Sequence, residues 1–327
     1  MHLSRIIATL GCTLIISACA QPTPLPAPTP APSLPYTPLP QGAVIEKAGT
    51  KAPRTIVDTE LLGSLAPDDK TPEERVPHII ERGRLIVGVD QSQNLLSFRD
   101  TAAGELQGFE IDLAKEIARD IFGDPNHIEF RFVDSANWVA SLESKTIDIA
   151  IRTISITRHR QDQVSFSTPY LAGNTRILTD KSSLIKEIGD LHGRTICVTN
   201  KSTGADIARR QAPTSDLLVV RNSADCLIAL QQNQANAVIT DDTILSGIAA
   251  QDPFTTIIGK SLNTDNYGIA IAKPGHRHHT DGLIRQVNAT LERTYTDGTW
   301  QKTYNHWFGN YLPNQTPPAT KYRTEPK

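Results

Sequence analysis

The architecture is written in two stretches, IEFRFVDSANWVASLESKTIDIAIR (Ile128–Arg152) and LLVVRNSADCLIALQQNQANAVITD (Leu217–Asp241). Each opens on a short apolar run, passes through a polar break into a segment with helical spacing, and ends in a second apolar run. The two also match in register. Ser135-Ala136 and Leu142 fall 88 residues before Ser223-Ala224 and Leu230, and Ile151 falls the same distance before Ile239. One strand–helix–strand unit thus occurs twice in the chain.

Working outward, LIVGVD (Leu85–Asp90) and TICVTN (Thr195–Asn200) are further strand candidates, the second followed by a helix from Gly204. Between Gly108 and Gly123, Phe109, Leu113, Ile117 and Ile121 recur every four residues on one helical face, and Gly123 is a stop signal. Strands alternating with helices predict an α/β fold of mostly parallel sheets with helices on both faces. Two similar lobes leave a cleft between them. In such sheets ligands gather outside the carboxyl ends of the strands, which singles out the loops after Asp90, Arg152, Asn200 and Asp241.

Composition bounds the function. The 327 residues fit one large domain or two ordinary ones, and 39% hydrophobic residues with 20 glycines suffice for a sizeable core. Lys+Arg 33 against Asp+Glu 35 gives a net charge of −2, without the basic excess that binding nucleic acid through its phosphates requires. Beyond the first twenty positions no apolar run approaches the roughly 20 residues that span a bilayer, which excludes a polytopic membrane protein.

The N-terminus, MHLSRIIATLGCTLIISACA, has the layout of a secretory signal, with Arg5 ahead of a short apolar stretch. Ile16-Ser17-Ala18-Cys19 resembles the lipobox of bacterial lipoproteins, which implies a signal peptide over 1–18 and a diacylglycerol thioether on Cys19. Nine of the 22 prolines lie between Ala20 and Pro40, a composition that favours an extended spacer. The linker and extension run over 19–75. No role is assigned to Gly42–Pro77 or to the tail at 313–327.

Six pieces in order carry a family resemblance: GFEIDLAKEIA (Gly108–Ala118), IDIAIRTISITRHRQDQVSFSTPY (Ile147–Tyr170), GRTICVTNKSTGADIA (Gly193–Ala208), ANAVITDDTIL (Ala235–Leu245), YGIAIAKPG (Tyr267–Gly275) and GTWQKTYNHWFG (Gly298–Gly309). Together they resemble the periplasmic binding proteins for polar amino acids that serve ABC importers, and in particular the glutamine/glutamate/aspartate-binding lipoproteins. The resemblance covers about Arg75 to Tyr311. It implies a two-lobe fold of type II with two hinge strands, lobe 1 formed by 76–170 and 267–312 and lobe 2 by 174–266. It also implies a monomer outside the cytoplasm, anchored to the cell membrane, with an ABC permease as partner and neither cofactor nor nucleic acid.

A free L-amino acid brings a carboxylate, an ammonium and a side chain, so a closed cleft needs a fixed cation, a fixed anion and polar donors. Family position assigns the α-carboxylate to Arg160, whose guanidinium fork suits it, with Arg158 as rival. Ser155 matches a hydroxyl donor and Thr153 a source of backbone groups. In NKSTGADIA a helix begins, and the backbone N–H groups of Thr203 and Gly204 favour an anion. The ammonium is assigned to Asp241, with Asp242 as competitor or helix cap. Asp90 ends the first strand. Many relatives stack an aromatic after that strand, where this chain has Gln93. Arg152 replaces what is often a small residue, and an added cation suits a distal carboxylate. Glutamate or aspartate is therefore expected ahead of glutamine or asparagine, with Asn200 and Lys201 as donors on the opposite wall.

Cys197 and Cys226 remain after the signal cysteines and are expected to form a disulfide in an oxidising compartment. His276-Arg277-His278-His279 follows a Lys-Pro-Gly turn signal and reads as a solvated turn, and no metal site is expected. Two other roles compete. The chain could sense amino acids for a membrane signalling protein. A secreted dehydratase of the cyclohexadienyl or arogenate type shares the implied fold, but no Glu lies on the strand-end loops and no catalytic motif is present.

Overall fold

The computed structural model describes residues 37–52, 58–275 and 279–324. The signal peptide, Cys19, the prolines before Thr37 and His276–His278 lie outside the described residues. The contacts separate Met1–Thr37 from a single unit, Pro38–Lys327.

Two sheets organise this unit. The first runs in the order Ile128–Phe132, Leu85–Val89, Ile149–Ala150, Ala270–Ala272, Val164–Phe166. The second runs Val44–Glu46, Asp216–Val220, Thr195–Thr199, Ala237–Asp241, Leu171–Asp180, Thr255–Tyr267. The repeat is visible in both, because Ile128–Phe132 and Asp216–Val220 are related by the same 88-residue offset. Within each unit the strands pair in parallel through a shared neighbour.

The expectation of mostly parallel sheets is corrected, since both are mixed. Ala270–Ala272 re-enters the first sheet from the second and pairs antiparallel with both its neighbours. Leu171–Asp180 and Thr255–Tyr267 pair antiparallel along their length, from Leu171↔Tyr267 to Asp180↔Thr255. Two of the chain's crossings between the sheets lie side by side next to these strands, where Tyr170 N donates to Tyr267 O (2.9 Å) and Ser167 N to Ile269 O (2.9 Å).

Helices cover the sheets as the spacing predicts. Phe109–Phe122 buries Phe109, Leu113, Ile117 and Ile121 and stops at Gly123 in the left-handed conformation. Each such side chain contributes roughly 1.5–3 kcal/mol when withdrawn from water. Phe109 stacks near Tyr170 and meets the rings of Trp300, Tyr304 and Phe308. Trp300 Nε1 donates to Tyr170 O (2.7 Å), tying the C-terminal helices to the first crossing. In the second lobe, a disulfide joins Cys197 on its strand to Cys226 on the helix Ala224–Gln231, with Cα atoms 5.5 Å apart.

Described parts of both segments without an assigned role pack onto the body. Val44–Glu46 adds an antiparallel edge strand to Asp216–Val220, and Glu46 accepts two bonds from Arg209 (2.8 and 3.0 Å). Ser64 and Tyr322 form a bridge, with Ser64 N donating to Lys321 O and Arg323 N to Ser64 O (both 2.9 Å). Asn288 holds this junction through Ser64 Oγ and Leu65 O.

Candidate functional site

Four strand ends meet across one narrow cleft. Gln93, Ser135, Trp138, Arg152, Thr153, Ser155 and Arg160 line one wall; Thr199, Ser202, Thr203, Ser223, Thr240 and Asp241 line the other. The walls touch. Ser155 Oγ is 3.4 Å from Thr203 Oγ1, Asn94 Nδ2 donates to Gly247 O (3.2 Å), and Arg221 pairs with Asp134 (2.9 Å) across the mouth. Gly247 permits this approach, because a Cβ there would stand 2.3 Å from Asn94 O.

Arg160 lies on the short helix Arg158–Gln163, capped by Thr157, whose hydroxyl accepts from Arg160 N (3.3 Å). Its Nη1 donates to Ser155 O (2.8 Å) and its Nη2 reaches Lys201 O on the far wall (3.4 Å). Its guanidinium carbon is 6.0 Å from the Trp138 ring centroid, within cation–π range. Arg158, the rival, is exposed and pairs with Asp162 on its own helix.

Facing it, the helix Thr203–Gln211 begins at Ser202, which caps it by accepting from Ala205 N (3.1 Å). Thr203 and Gly204 occupy the first two helical positions, whose N–H groups have no partner inside a helix. Thr203 lines the cleft. Gly204 does not, and is explained by packing: a Cβ there would stand 2.8 Å from Ile239 O.

Asp241 ends its strand almost fully buried. Thr175 Oγ1 is 3.2 Å from Asp241 Oδ1 and 3.3 Å from Asp265 Oδ2. Burial, then the charge of Asp265, push the Asp241 carboxyl up to about 8. Asp242 is occupied elsewhere, accepting from Asn174 N (3.1 Å) and Nδ2 (3.2 Å) instead of capping its helix.

Arg152 faces the cleft but is already paired: its Nη2 is 3.1 Å from Asp90 Oδ2 and its Nη1 3.3 Å from Ser135 Oγ. Asp90 itself is sealed beneath it. Thr153 follows with φ +52°, a conformation that is costly for a β-branched residue. Its N–H is held by Glu110 Oε1 (2.6 Å), and its hydroxyl reaches Gln93 Oε1 (3.4 Å). Glu110 is fully buried and burial pushes its carboxyl up to about 7, against the opposing bonds from Tyr170 and Thr153.

Asn200 and Lys201 stand apart. Both are exposed, Lys201 presents only its carbonyl to Arg160, and Asn200 borders the outer hollow beside Arg221. The structure in turn adds Trp138, Ser135, Thr199, Ser223, Thr175 and Asp265, none of which the sequence singles out as site residues. A signal existed for two of them. Ser135 and Ser223 are the matched positions of the repeat, and each lies between the carboxyl end of a strand and the helix that follows it.

The arrangement sets a guanidinium on one wall against a helix N-terminus and a carboxylate on the other, with hydroxyls between. Such a set of groups is complementary to a zwitterion. Residues 85–310 match the bacterial extracellular solute-binding proteins, family 3. The glutamine-binding protein of Geobacillus stearothermophilus is 37% identical over 196 residues, 60% of this chain and 75% of that protein. The ABC transporter glutamine-binding protein GlnH of Bacillus subtilis is 31% identical over 230 residues, 70% and 82% of the two chains. Among solved structures, an ancestral arginine-binding protein bound to glutamine is 32% identical with a TM-score of 0.63, covering 70% of this chain and 99% of that one.

Proposed function

The chain belongs to the family 3 bacterial extracellular solute-binding proteins, which bind rather than transform, and on that premise we propose that it captures a free polar L-amino acid for an ABC permease. The observation that carries this reading is the placement of Arg160 and Asp241 on opposite walls of one closed cleft. Arg160 and the N–H group of Thr203 take the α-carboxylate, assisted by Ser155. Asp241 takes the α-ammonium. Contacts to both lobes exist only when the lobes are closed, so the ligand stabilises the closed form by its differential affinity.

The side chain then lies toward Gln93, Ser135 and Arg152. The sequence alone ranks acidic ligands first, because Arg152 adds a positive charge. Asp90 takes up that charge, leaving a polar wall with no net charge from this pair. Glutamine therefore comes first and glutamate second, in keeping with the two glutamine-binding relatives. Cys19 carries the lipid anchor.

A thermal-shift screen of all twenty amino acids tests the reading. A ligand at a hundredfold excess over its Kd stabilises by about 2.7 kcal/mol. Glutamine is expected to raise Tm by several degrees and glutamate by less; no shift with any amino acid would overturn the assignment. Cys19→Ser is expected to move the protein from the membrane fraction to the medium, and retention in the membrane would remove the anchor.

A further inference from the structure

We propose that Asp241 and Asp265 share one proton in the ligand-free protein, and that seating an amino acid's α-ammonium on Asp241 expels it to solvent. This rests on the assignment of Asp241 to the ammonium. It adds Asp265 as a second anion that sets the affinity and its dependence on pH.

Three neighbouring strands create the pair. Asp241 ends Ala237–Asp241, Asp265 lies in Thr255–Tyr267, and Leu171–Asp180 runs between them carrying Thr175. Asp265 has no exposed surface and Asp241 very little. The Thr175 hydroxyl is within reach of both carboxylates but has one hydrogen, so it satisfies one at a time. Asn263 Nδ2 gives Asp265 its other donor (3.0 Å). The fully buried Tyr267 hydroxyl feels the same acids and makes no hydrogen bond of good geometry.

The charges around the pair require a proton. Asp242 on the adjoining helix adds a third carboxylate, though Asn174 holds it. From the facing helix, Asp206 is paired with Arg209. Arg160 is the cation whose field reaches both Asp241 and Asp265, and its own donors point to Ser155 O and Lys201 O. Arg152 is matched by Asp90. Two ionised carboxylates at this depth repel, so one is neutralised. Burial pushes both carboxyls upward, in agreement with the geometry.

The exchange balances. One carboxyl O–H bond breaks, its proton leaves to solvent, and the ammonium supplies the positive charge and N–H donors in its place. Asp265 acts through Asp241 and is a positioning residue.

Calorimetry of glutamine binding at about pH 7, in two buffers of different ionisation enthalpy, counts the protons released. About one proton per ligand is expected, with Kd tightening about tenfold for each unit rise in pH below the titration of the pair. Asp265→Asn is expected to lose both the release and the pH slope. Binding without proton release in the wild type would overturn the inference and leave the binding function standing. If no amino acid binds, the pair is still read directly by carboxyl-carbon NMR of the ligand-free protein. One of the two carboxyls is expected to stay protonated at about pH 6, and full ionisation of both there would overturn the shared proton.

Discussion

Arg152 and Asp90 lie face to face under the cleft wall, Nη2 to Oδ2 3.1 Å, their side chains 6% and 0% exposed. A pair this deep gains little net stability over an apolar pair, but breaking it leaves a buried charge, at a cost of about 3–5 kcal/mol. Arg152→Met is accordingly expected to lower unfolding stability by about that amount, read from urea titration. Asp90→Asn does the opposite for recognition, because it leaves Arg152 uncompensated. Glutamate should then gain on glutamine by about tenfold, worth about 1.4 kcal/mol; an unchanged ratio would show that Arg152 does not face the ligand's side chain.

Closure depends on Gly247. Its absent Cβ would sit 2.3 Å from the Asn94 carbonyl of the other lobe, a backbone atom that cannot move aside alone. Gly247→Ala is expected to leave the melting temperature of the ligand-free protein nearly unchanged and to weaken glutamine binding about tenfold or more. Normal affinity in this variant would mean that the ligand is held without this contact.

Glu110 makes stability depend on pH. Its carboxyl stands at about 7 in the folded protein against 4.5 in the free chain, so the folded state binds the proton more tightly. The contribution is fully present below about 4.5 and is lost as pH rises through about 7, on the order of 3 kcal/mol in all. Glu110→Gln keeps an acceptor for Thr153 N–H and removes the titration. Urea unfolding at about pH 5 and about pH 8 should show a smaller difference in the variant than in the wild type; equal differences would assign the pH dependence to other groups.

Much of the fold is legible in the sequence, for definite reasons. The strand–helix–strand repeat shows because apolar residues four apart fit a helix face and short β-branched runs fit a strand, and its matched serines mark both cleft rims. The mixed pairing is hidden because strand direction depends on where the chain returns, which Ala270–Ala272 settles only in three dimensions. Arg152 reads as a cation near the site, but its partner lies 62 residues away, just past the end of another strand. Asn200 and Lys201 follow a strand end as ligand residues often do, yet the backbone there turns their side chains outward. Asp265 carries no signal, since nothing in TDNY distinguishes a buried acid from a surface one.

The disulfide is expected to serve stability alone. Cys197 and Cys226 are buried in the second lobe and line no part of the cleft. Closing a loop of this length contributes about 2–4 kcal/mol. A Cys197→Ala, Cys226→Ala double variant should lose stability of that order in urea while binding glutamine with unaltered Kd. A weakened Kd would tie the bond to the geometry of the helix Thr203–Gln211.

Everything returns to a zwitterion held between a guanidinium and a carboxylate. Titration calorimetry of glutamine and glutamate against the wild type, Arg160→Ala and Asp241→Asn reads this directly. The wild type is expected to bind, and each variant to lose at least about a hundredfold in affinity, as removing one partner of a buried charge pair does. Wild-type affinity in both variants would contradict it.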